Sequence, residues 1–323
     1  MLTALVAAAL IGQPAPVGRT PPTTRLEATA QPNPADTAGS DEIRLSVMAD
    51  DRLTVAVSLG IHGPFRFLVD TGADRTAVSE QLAARLDLPS GSVVRLHSVT
   101  GMSQVRTATV KGLRIAARDL PDVIAPLLDA NHVKADGILG TDVLRSAQVR
   151  FDFKAGLLSI SAAPKRERRT SDPDTIVVQG RRRAGRLIVT EAQIDGQRLT
   201  IVLDTGSEIS IGNSALRKAL GRRGFLRDDK VIELMSVTGE KLTANYMFAD
   251  RLEIGGLTLT QLGIAFADAH TFKVMDLEKR PALLLGMNAL KAFDSVTIDL
   301  AAKKLRFTMP ELGGRGASAR YVR

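Results

Sequence analysis

The sequence of 323 residues contains no cysteine, which excludes disulfide scaffolds and catalytic thiolates. It also lacks the Gly-x-Ser-x-Gly elbow, the Walker phosphate loop and the dinucleotide glycine fingerprint, so the classes that depend on them are set aside. No apolar run approaches the roughly 18 residues that a membrane-crossing helix requires, and no integral membrane domain is expected. The composition, with 44% apolar and 24% charged residues, is typical of a soluble globular protein, and the chain is long enough for two domains.

The N-terminal segment, residues 1–40, is interpreted as a signal-like stretch followed by a disordered tether. Residues 1–11 are apolar, and a region rich in proline, threonine and alanine continues to about residue 40. Export to the periplasm or outside the cell is therefore expected, with a cytoplasmic location as the alternative if the segment is not a signal. Residues 311–323 are expected to form a flexible tail.

The net charge of +8 is concentrated near the middle of the chain. Between Lys165 and Arg186, eight basic residues stand against three acidic ones, a local excess of 8 − 3 = +5. A solvated linker at 164–173 with a hairpin tip at 181–183 explains this run, and weak contact with an anionic surface is the alternative. Nucleic-acid binding is not expected, because no aromatic residue is interleaved for base stacking.

The two halves of the chain repeat three landmarks in the same order. Each half has an apolar strand that ends in Asp-Thr-Gly, then the tetrapeptide Ser-Val-Thr-Gly, then an apolar pair closed by glycine. These landmarks occupy residues 67–73, 98–101 and 138–140 in the first half, and 201–207, 236–239 and 284–286 in the second. A repeat of this kind indicates a duplicated structural unit.

Each half is predicted to be mostly β with short helices. Residues 41–163 and 174–310 would form the two lobes on either side of the basic linker. Apolar spacing near 3.6 predicts helices over Ser79–Leu88 and Asn213–Leu220, and a short helical pattern follows each glycine-closed pair. Alternating segments at 43–59 and 175–194 are predicted to be hairpins.

The paired Asp-Thr-Gly triplets point to chemistry with two carboxylates. A buried strand would deliver Asp70 or Asp204 at the end of a rigid element, and Gly72 or Gly206, without a Cβ, lets the chain turn sharply. If the two loops face each other, both carboxylates cannot be ionised, so they share one proton. Such a pair supplies a base for water and an acid for a carbonyl oxygen, which suffices to hydrolyse an amide without a metal or cofactor.

The Ser-Val-Thr-Gly segments are predicted to be hairpin tips. Whether they are only hairpins, or mobile flaps that fold over a bound peptide, stays open on sequence grounds. The candidate flap-tip residues are Thr100, Gly101, Thr238 and Gly239. The glycine-closed pairs are interpreted as buried strand ends that support the Asp loops.

At FLVDTGADRTAVS, IVLDTGS and the glycine-closed pairs, the sequence resembles the retropepsin-like aspartic proteases over about residues 43–309. The resemblance implies an acid-protease fold of two β-barrel lobes related by a pseudo-twofold axis. It implies catalytic roles for Asp70 and Asp204, with a polypeptide as substrate. The supporting residues that it implies are Thr71 and Thr205, which would link the two loops, and Gly72 and Gly206 beside the carboxylates.

The halves differ after the triplet, where Ala73 corresponds to Ser207, so only Asp204 is predicted to gain a neighbouring hydroxyl that favours its ionised form. Neither candidate flap contains the tyrosine that marks pepsin flaps. The active unit is expected to be a monomer or a homodimer, since one chain carries both triplets.

Two other functions compete with an aspartic endopeptidase. A non-catalytic relative could grip extended peptides in the same cleft by strand addition. A glycosidase also uses two carboxylates, but it needs no matched triplets. No metal is predicted, because the four histidines lack metal-ligand spacing and are expected at the surface or in turns.

Overall fold

A computed structural model describes residues 3–5, 40–44, 46–47, 53–163, 175–183, 186–222, 227–310 and 318–320. The strands, numbered in chain order, are β1 Thr3–Leu5, β2 Ser40–Arg44, β3 Ser46–Val47, β4 Leu53–Leu59, β5 His62–Val69, β6 Ala77–Ser79, β7 Val94–His97, β8 Met102–Val105, β9 Thr107–Val110, β10 Leu113–Ile115, β11 Arg118–Asp119, β12 Val123–Leu128, β13 Gly137–Leu139, β14 Ala147–Asp152, β15 Leu157–Ala162, β16 Thr175–Gln179, β17 Arg181–Arg183, β18 Arg186–Ile194, β19 Gln197–Leu203, β20 Ser210–Gly212, β21 Arg227–Met235, β22 Lys241–Ile254, β23 Leu257–Phe266, β24 Ala282–Leu285, β25 Ser295–Asp299, β26 Lys304–Thr308 and β27 Ser318–Arg320. The helices are α1 Glu80–Arg85, α2 Ala130–Val133, α3 Thr141–Leu144, α4 Ser214–Gly221, α5 His270–Val274 and α6 Met287–Leu290.

Each half of the chain folds around its own barrel-like sheet. The first sheet has the order β11-β10-β4-β5-β13-β6-β12-β9, and the second has the order β17-β18-β19-β24-β20-β23-β22-β21. In both, the strand that leads to the Asp-Thr-Gly triplet pairs in parallel with the strand of the glycine-closed pair, β5 with β13 and β19 with β24. The predicted mostly-β fold with two lobes of the acid-protease type is confirmed.

The two amphipathic helices lie where the apolar spacing predicts them. Ser79 caps α1 by accepting a hydrogen bond from the backbone N–H of Leu82 at 3.0 Å. Asn213 caps α4 in the same way through Leu216 at 2.9 Å. Helix α1 ends earlier than Leu88, because the chain turns into the left-handed region at φ 49° two residues after Arg85, which a helix cannot continue through.

A six-stranded sheet joins the lobes, with the order β16-β26-β25-β14-β15-β2. Its central pair, β14 with β25, brings together one strand from each half in antiparallel register from Gln148↔Asp299 to Asp152↔Ser295. The prediction of simple hairpins over 43–59 and 175–194 is therefore only partly right. Their first strands, β2 and β16, pair with β15 and β26, because alternation defines the buried face of a strand and not its partner.

Several predictions fall outside the described residues. The linker at 164–173 lies there, as do the tail 311–323 apart from β27 and the segment 1–40 apart from Ser40 and β1, which pairs in parallel with β7. The proposed domain boundaries therefore stay predictions. Within the described ranges, no helix has the length and apolarity needed to cross a membrane.

Candidate active site

The two Asp-Thr-Gly loops meet between the lobes and are locked together by their threonines. The backbone N–H of Thr71 donates to Oγ1 of Thr205 at 2.9 Å, and the N–H of Thr205 donates to Oγ1 of Thr71 at 3.3 Å. The Thr205 hydroxyl also donates to the carbonyl of Val69 at 2.7 Å. These reciprocal bonds join residues 134 positions apart, so they fix the position of one loop relative to the other.

The carboxyl groups beside these threonines are both buried, with Asp70 and Asp204 each about 1% exposed. The N–H groups of Gly72 and Ala73 donate to Oδ1 of Asp70 at 2.7 and 3.1 Å, and Gly206 donates to Oδ1 of Asp204 at 3.1 Å. A Cβ built on Gly206 would lie 2.3 Å from both Cγ and Oδ2 of Asp70. The carboxyl of one half therefore rests directly against the triplet of the other.

Burial raises the pKa of the Asp204 carboxyl well above its ordinary value, and the negative charge of Asp70 raises it further. The guanidinium of Arg186 and the N–H groups of Gly206 and Ser207 act in the opposite direction. Two adjacent buried carboxyls favour the state that holds a single proton between them. Such a pair has both a base and an acid available at one place.

The glycine-closed pairs support the Asp loops from behind. The carbonyls of Leu139 and Leu285 accept from the N–H groups of Asp70 and Asp204 at 3.0 and 3.1 Å. A Cβ on Gly140 would lie 2.4 Å from backbone, so the close approach requires glycine there. The interpretation of these pairs as buried strand ends under the loops agrees with this geometry.

The hydroxyl of Ser207 donates to the carbonyl of Ile209 at 2.8 Å. The prediction that this hydroxyl favours the ionised form of Asp204 is therefore wrong. The backbone N–H of Ser207 lowers the pKa of Asp204 instead, and the N–H of Ala73 donates to the Asp70 carboxyl in the first half. Backbone groups thus support both carboxyls in the same way.

The two Ser-Val-Thr-Gly tips cross between the lobes. Val99 of the first tip belongs to an apolar cluster whose other members come from the second half, among them Val202. Val237 of the second tip belongs to a cluster from the first half that includes Leu68 and Ala73. Each tip therefore buries its valine in the opposite lobe, among side chains that adjoin the Asp loop there.

The predicted flap-tip residues lie side by side. Within each tip the hydroxyls contact each other, Ser98 with Thr100 at 2.8 Å and Ser236 with Thr238 at 2.7 Å. Between the tips, Oγ1 of Thr238 lies 3.4 Å from Oγ of Ser98. Gly101 has open space where a Cβ would stand.

The histidines are less scattered in space than in sequence. His62 is exposed at the start of β5, and a Cβ on Gly239 would lie 2.3 Å from the ring of His132. His97 and His270, which come from different lobes, are 2.7 Å apart between Nδ1 and Nε2. Sequence reasoning missed this pair, because the two residues are 173 positions apart. Among the described residues, no group of three or more His, Asp or Glu could hold a metal ion.

Residues 55–146 match the family described as "gag-polyprotein putative aspartyl protease", and residues 190–289 match the family described as "Aspartyl protease". Each matched segment contains one of the two triplets. The chain belongs to the retropepsin-like aspartic proteases. This protease is an aspartic-type peptidase, a hydrolase that acts on polypeptides. A search of curated proteins finds no match.

Arg186 is a buried cation of the protease that the sequence did not reveal. Its side chain is about 1% exposed, and Nε donates to the carbonyl of Gly72 in the other lobe at 2.5 Å. Burial lowers the pKa of this guanidinium, while Asp204, Asp74 and Asp70 stabilise its charge. Within the described part of the chain, Nη2 has no hydrogen-bond partner. One arginine thus holds the Asp70 loop and lowers the pKa of Asp204.

The basic run therefore does not end in a solvated residue, and Arg186 is not available to an anionic surface. Arg181 and Arg182 are exposed, and Arg183 forms an ion pair with Asp276 at 3.2 Å. The sequence interpretation of the run as a solvated segment fails at Arg186, because charge counting cannot distinguish a buried arginine from an exposed one.

We expect Arg186→Met to move the acidic limb of the kcat/KM profile of the protease to higher pH. Loss of the cation removes an attraction that lowers the pKa of Asp204, so the first ionisation of the pair occurs at higher pH. Arg183→Met is the matched control, because its exposed ion pair is expected to contribute no more than about 1 kcal/mol. An unshifted acidic limb in a folded Arg186→Met variant would contradict this role.

Proposed function

We propose that this protease is an endopeptidase in which Asp70 and Asp204 together hold and activate one water molecule. The observation that supports the proposal most strongly is the reciprocal bonding of Thr71 and Thr205, which holds the two Asp loops face to face. The close approach of Gly206 to the Asp70 carboxyl and the raised pKa of Asp204 agree with a shared proton. Both carboxyls come from one chain, so a single polypeptide suffices.

The reaction needs one ionised and one protonated carboxyl. The ionised member takes a proton from water as the water oxygen attacks the carbonyl carbon of the peptide bond, and the protonated member gives its proton to the carbonyl oxygen. The resulting gem-diol collapses when a proton passes to the amide nitrogen and the C–N bond breaks. The pair ends with one proton again, so no covalent intermediate and no cofactor are needed.

The substrate of the proposed reaction is an extended peptide bound between the lobes, with the two hairpin tips as flaps over it. The crossing of Val99 and Val237 into opposite lobes supports this role, because both tips then span the two lobes between which the peptide would bind. In this proposal, Thr100 and Thr238 are the tip residues that cover the bound chain.

Incubation of the protease with an unfolded, fluorescently labelled protein between pH 3 and pH 8 tests the proposal. We expect internal fragments in mass spectrometry, and inhibition by a peptide in which a hydroxyl-bearing carbon replaces the scissile carbonyl, because that group mimics the gem-diol. The folded double variant Asp70→Asn/Asp204→Asn is expected to yield no fragments.

The alternative, a peptide-binding relative without catalysis, makes a different prediction in the same experiment. It would bind the hydroxyl-bearing peptide and leave the unfolded protein intact at every pH. Fragments that persist in the double variant would overturn the role of the two aspartates.

A further inference from the structure

Glu240 links the two hairpins at their tips. It follows the second Ser-Val-Thr-Gly segment, and its carboxylate accepts hydrogen bonds from Thr100 and Ser103 of the first hairpin, the latter at 3.0 Å. Thr238 of its own hairpin donates to the same carboxylate at 3.3 Å. The corresponding residue of the first half is Met102, so the contact has no counterpart across the pseudo-twofold axis.

A second link lies at the base of the first tip. His97, the last residue of β7, contacts His270, the first residue of α5, between Nδ1 and Nε2 at 2.7 Å with the two rings within 7° of parallel. The backbone N–H of His270 also donates to the carbonyl of Val99 at 2.7 Å. One ring must donate and the other accept, which two doubly protonated rings cannot do.

Charged residues lie on the elements that carry the histidine pair. Arg95 on β7 and Lys273 on α5 face the histidine pair, and each lowers the pKa of the histidine on its own element. Burial is the largest cause of the lowered pKa of both His97 and His270. The pKa of Glu240 is lowered chiefly by the Thr100 hydroxyl, with smaller contributions from Ser103 and Thr238.

We propose that Glu240 and the His97–His270 pair are positioning residues that hold the first hairpin closed over the cleft at neutral pH and release it on acidification. The inference rests on the proposed function, since it concerns access to the same cleft. The carboxylate acts through Thr100 and Ser103, and the histidines act through the strand that leads to Val99. Neither group touches the reacting atoms.

Glu240 and the histidine pair both stabilise the closed hairpin less as pH falls. Because the pKa of Glu240 is lowered, its carboxylate stabilises the closed hairpin above about pH 4.5, the ordinary pKa. This stabilisation is lost as pH falls through the lowered pKa. The lowered pKa values of His97 and His270 mean that the neutral rings stabilise the closed hairpin above about pH 6.5, the ordinary pKa of histidine. This stabilisation is lost as pH falls from 6.5 through the lowered pKa values. Acid therefore opens the hairpin in two steps, the histidine step at the higher pH.

Amide hydrogen exchange of the intact protease between pH 3.5 and pH 7.5, corrected for the intrinsic pH dependence, tests the proposal without relying on catalysis. In the wild type we expect exchange of residues 94–105 to accelerate by about fivefold or more on acidification, the factor that corresponds to one net hydrogen bond of about 1 kcal/mol. Strand β13 serves as the internal reference and is expected to stay protected throughout.

Glu240→Gln is expected to remove the step below pH 4.5, and the double variant His97→Gln/His270→Gln the step below pH 6.5. The matched control is Glu233→Gln, a carboxylate on the same second hairpin that pairs with Lys241 at 2.9 Å. Equal protection of residues 94–105 at every pH in the wild type would overturn the proposal, as would an effect of Glu233→Gln as large as that of Glu240→Gln. A protease that opens with acid but cleaves nothing would instead refute the endopeptidase assignment alone.

Discussion

Asp204→Asn is expected to lower kcat/KM by about a thousandfold or more while the protease remains folded. The amide has nearly the shape of the carboxyl and can still accept the hydrogen bond from Gly206, but it can neither give nor take a proton. Removal of a positioned acid or base typically costs about a hundredfold to ten-thousandfold in rate. Initial rates on a peptide substrate, measured at the pH optimum of the wild type, check this expectation.

The same substitution is expected to raise the melting temperature at neutral pH. Because burial and Asp70 raise the pKa of Asp204, this carboxyl contributes stability below its unfolded pKa of about 3.9, and loses it as pH rises through the folded value. Asparagine has no charge to desolvate, so the variant avoids this loss. The difference in melting temperature should vanish below about pH 4.

Asp195→Asn is a matched control for Asp204→Asn. Burial also raises the pKa of Asp195, which lies in the turn between β18 and β19 and accepts hydrogen bonds from the N–H groups of Arg251 and Asp250. We expect this variant to keep full activity. If Asp204→Asn kept as much activity as Asp195→Asn, Asp204 would not belong to the catalytic pair.

The parts of the site that the sequence predicts well are those that depend on short stretches of chain. The Asp-Thr-Gly triplets, the cap residues Ser79 and Asn213, and the glycines of the apolar pairs each carry their signal within a few residues. The internal repeat adds one long-range fact, since two copies of a unit must be arranged around one axis. That symmetry predicts that the side chains of Asp70 and Asp204 face each other across the axis.

The features that the sequence did not reveal all join distant segments without a repeated pattern. Arg186 looks like the end of a basic run, yet its partner is the carbonyl of Gly72, and a carbonyl has no sequence signature. His97 and Glu240 each have a side-chain partner in the other half of the chain, and neither residue is repeated at the matching position. Where the halves differ, symmetry gives no guidance, and only the packed structure shows the partner.

Gly206→Ala is expected to reduce activity by about a hundredfold or more, because the change places a methyl group against the Asp70 carboxyl of the proposed catalytic pair. The new Cβ would lie 2.3 Å from Cγ and Oδ2 of Asp70, far inside van der Waals contact. The Asp70 carboxyl cannot easily yield, since Gly72 and Ala73 hold its Oδ1 at 2.7 and 3.1 Å. A displacement of about 1 Å in a catalytic group suffices for a loss of this size.

Gly221→Ala is the matched control for Gly206→Ala, because it adds the same methyl group at a position away from the two carboxyls. Gly221 ends α4, and a Cβ there would meet nothing within 4 Å, so activity should be unchanged and stability equal or slightly higher. The measurements are kcat/KM and melting temperature for both variants. Full activity in Gly206→Ala would show that the Asp70 carboxyl does not occupy this place during catalysis. If the two Asp loops must approach as closely as only glycine permits, Gly206→Ala loses activity and Gly221→Ala does not.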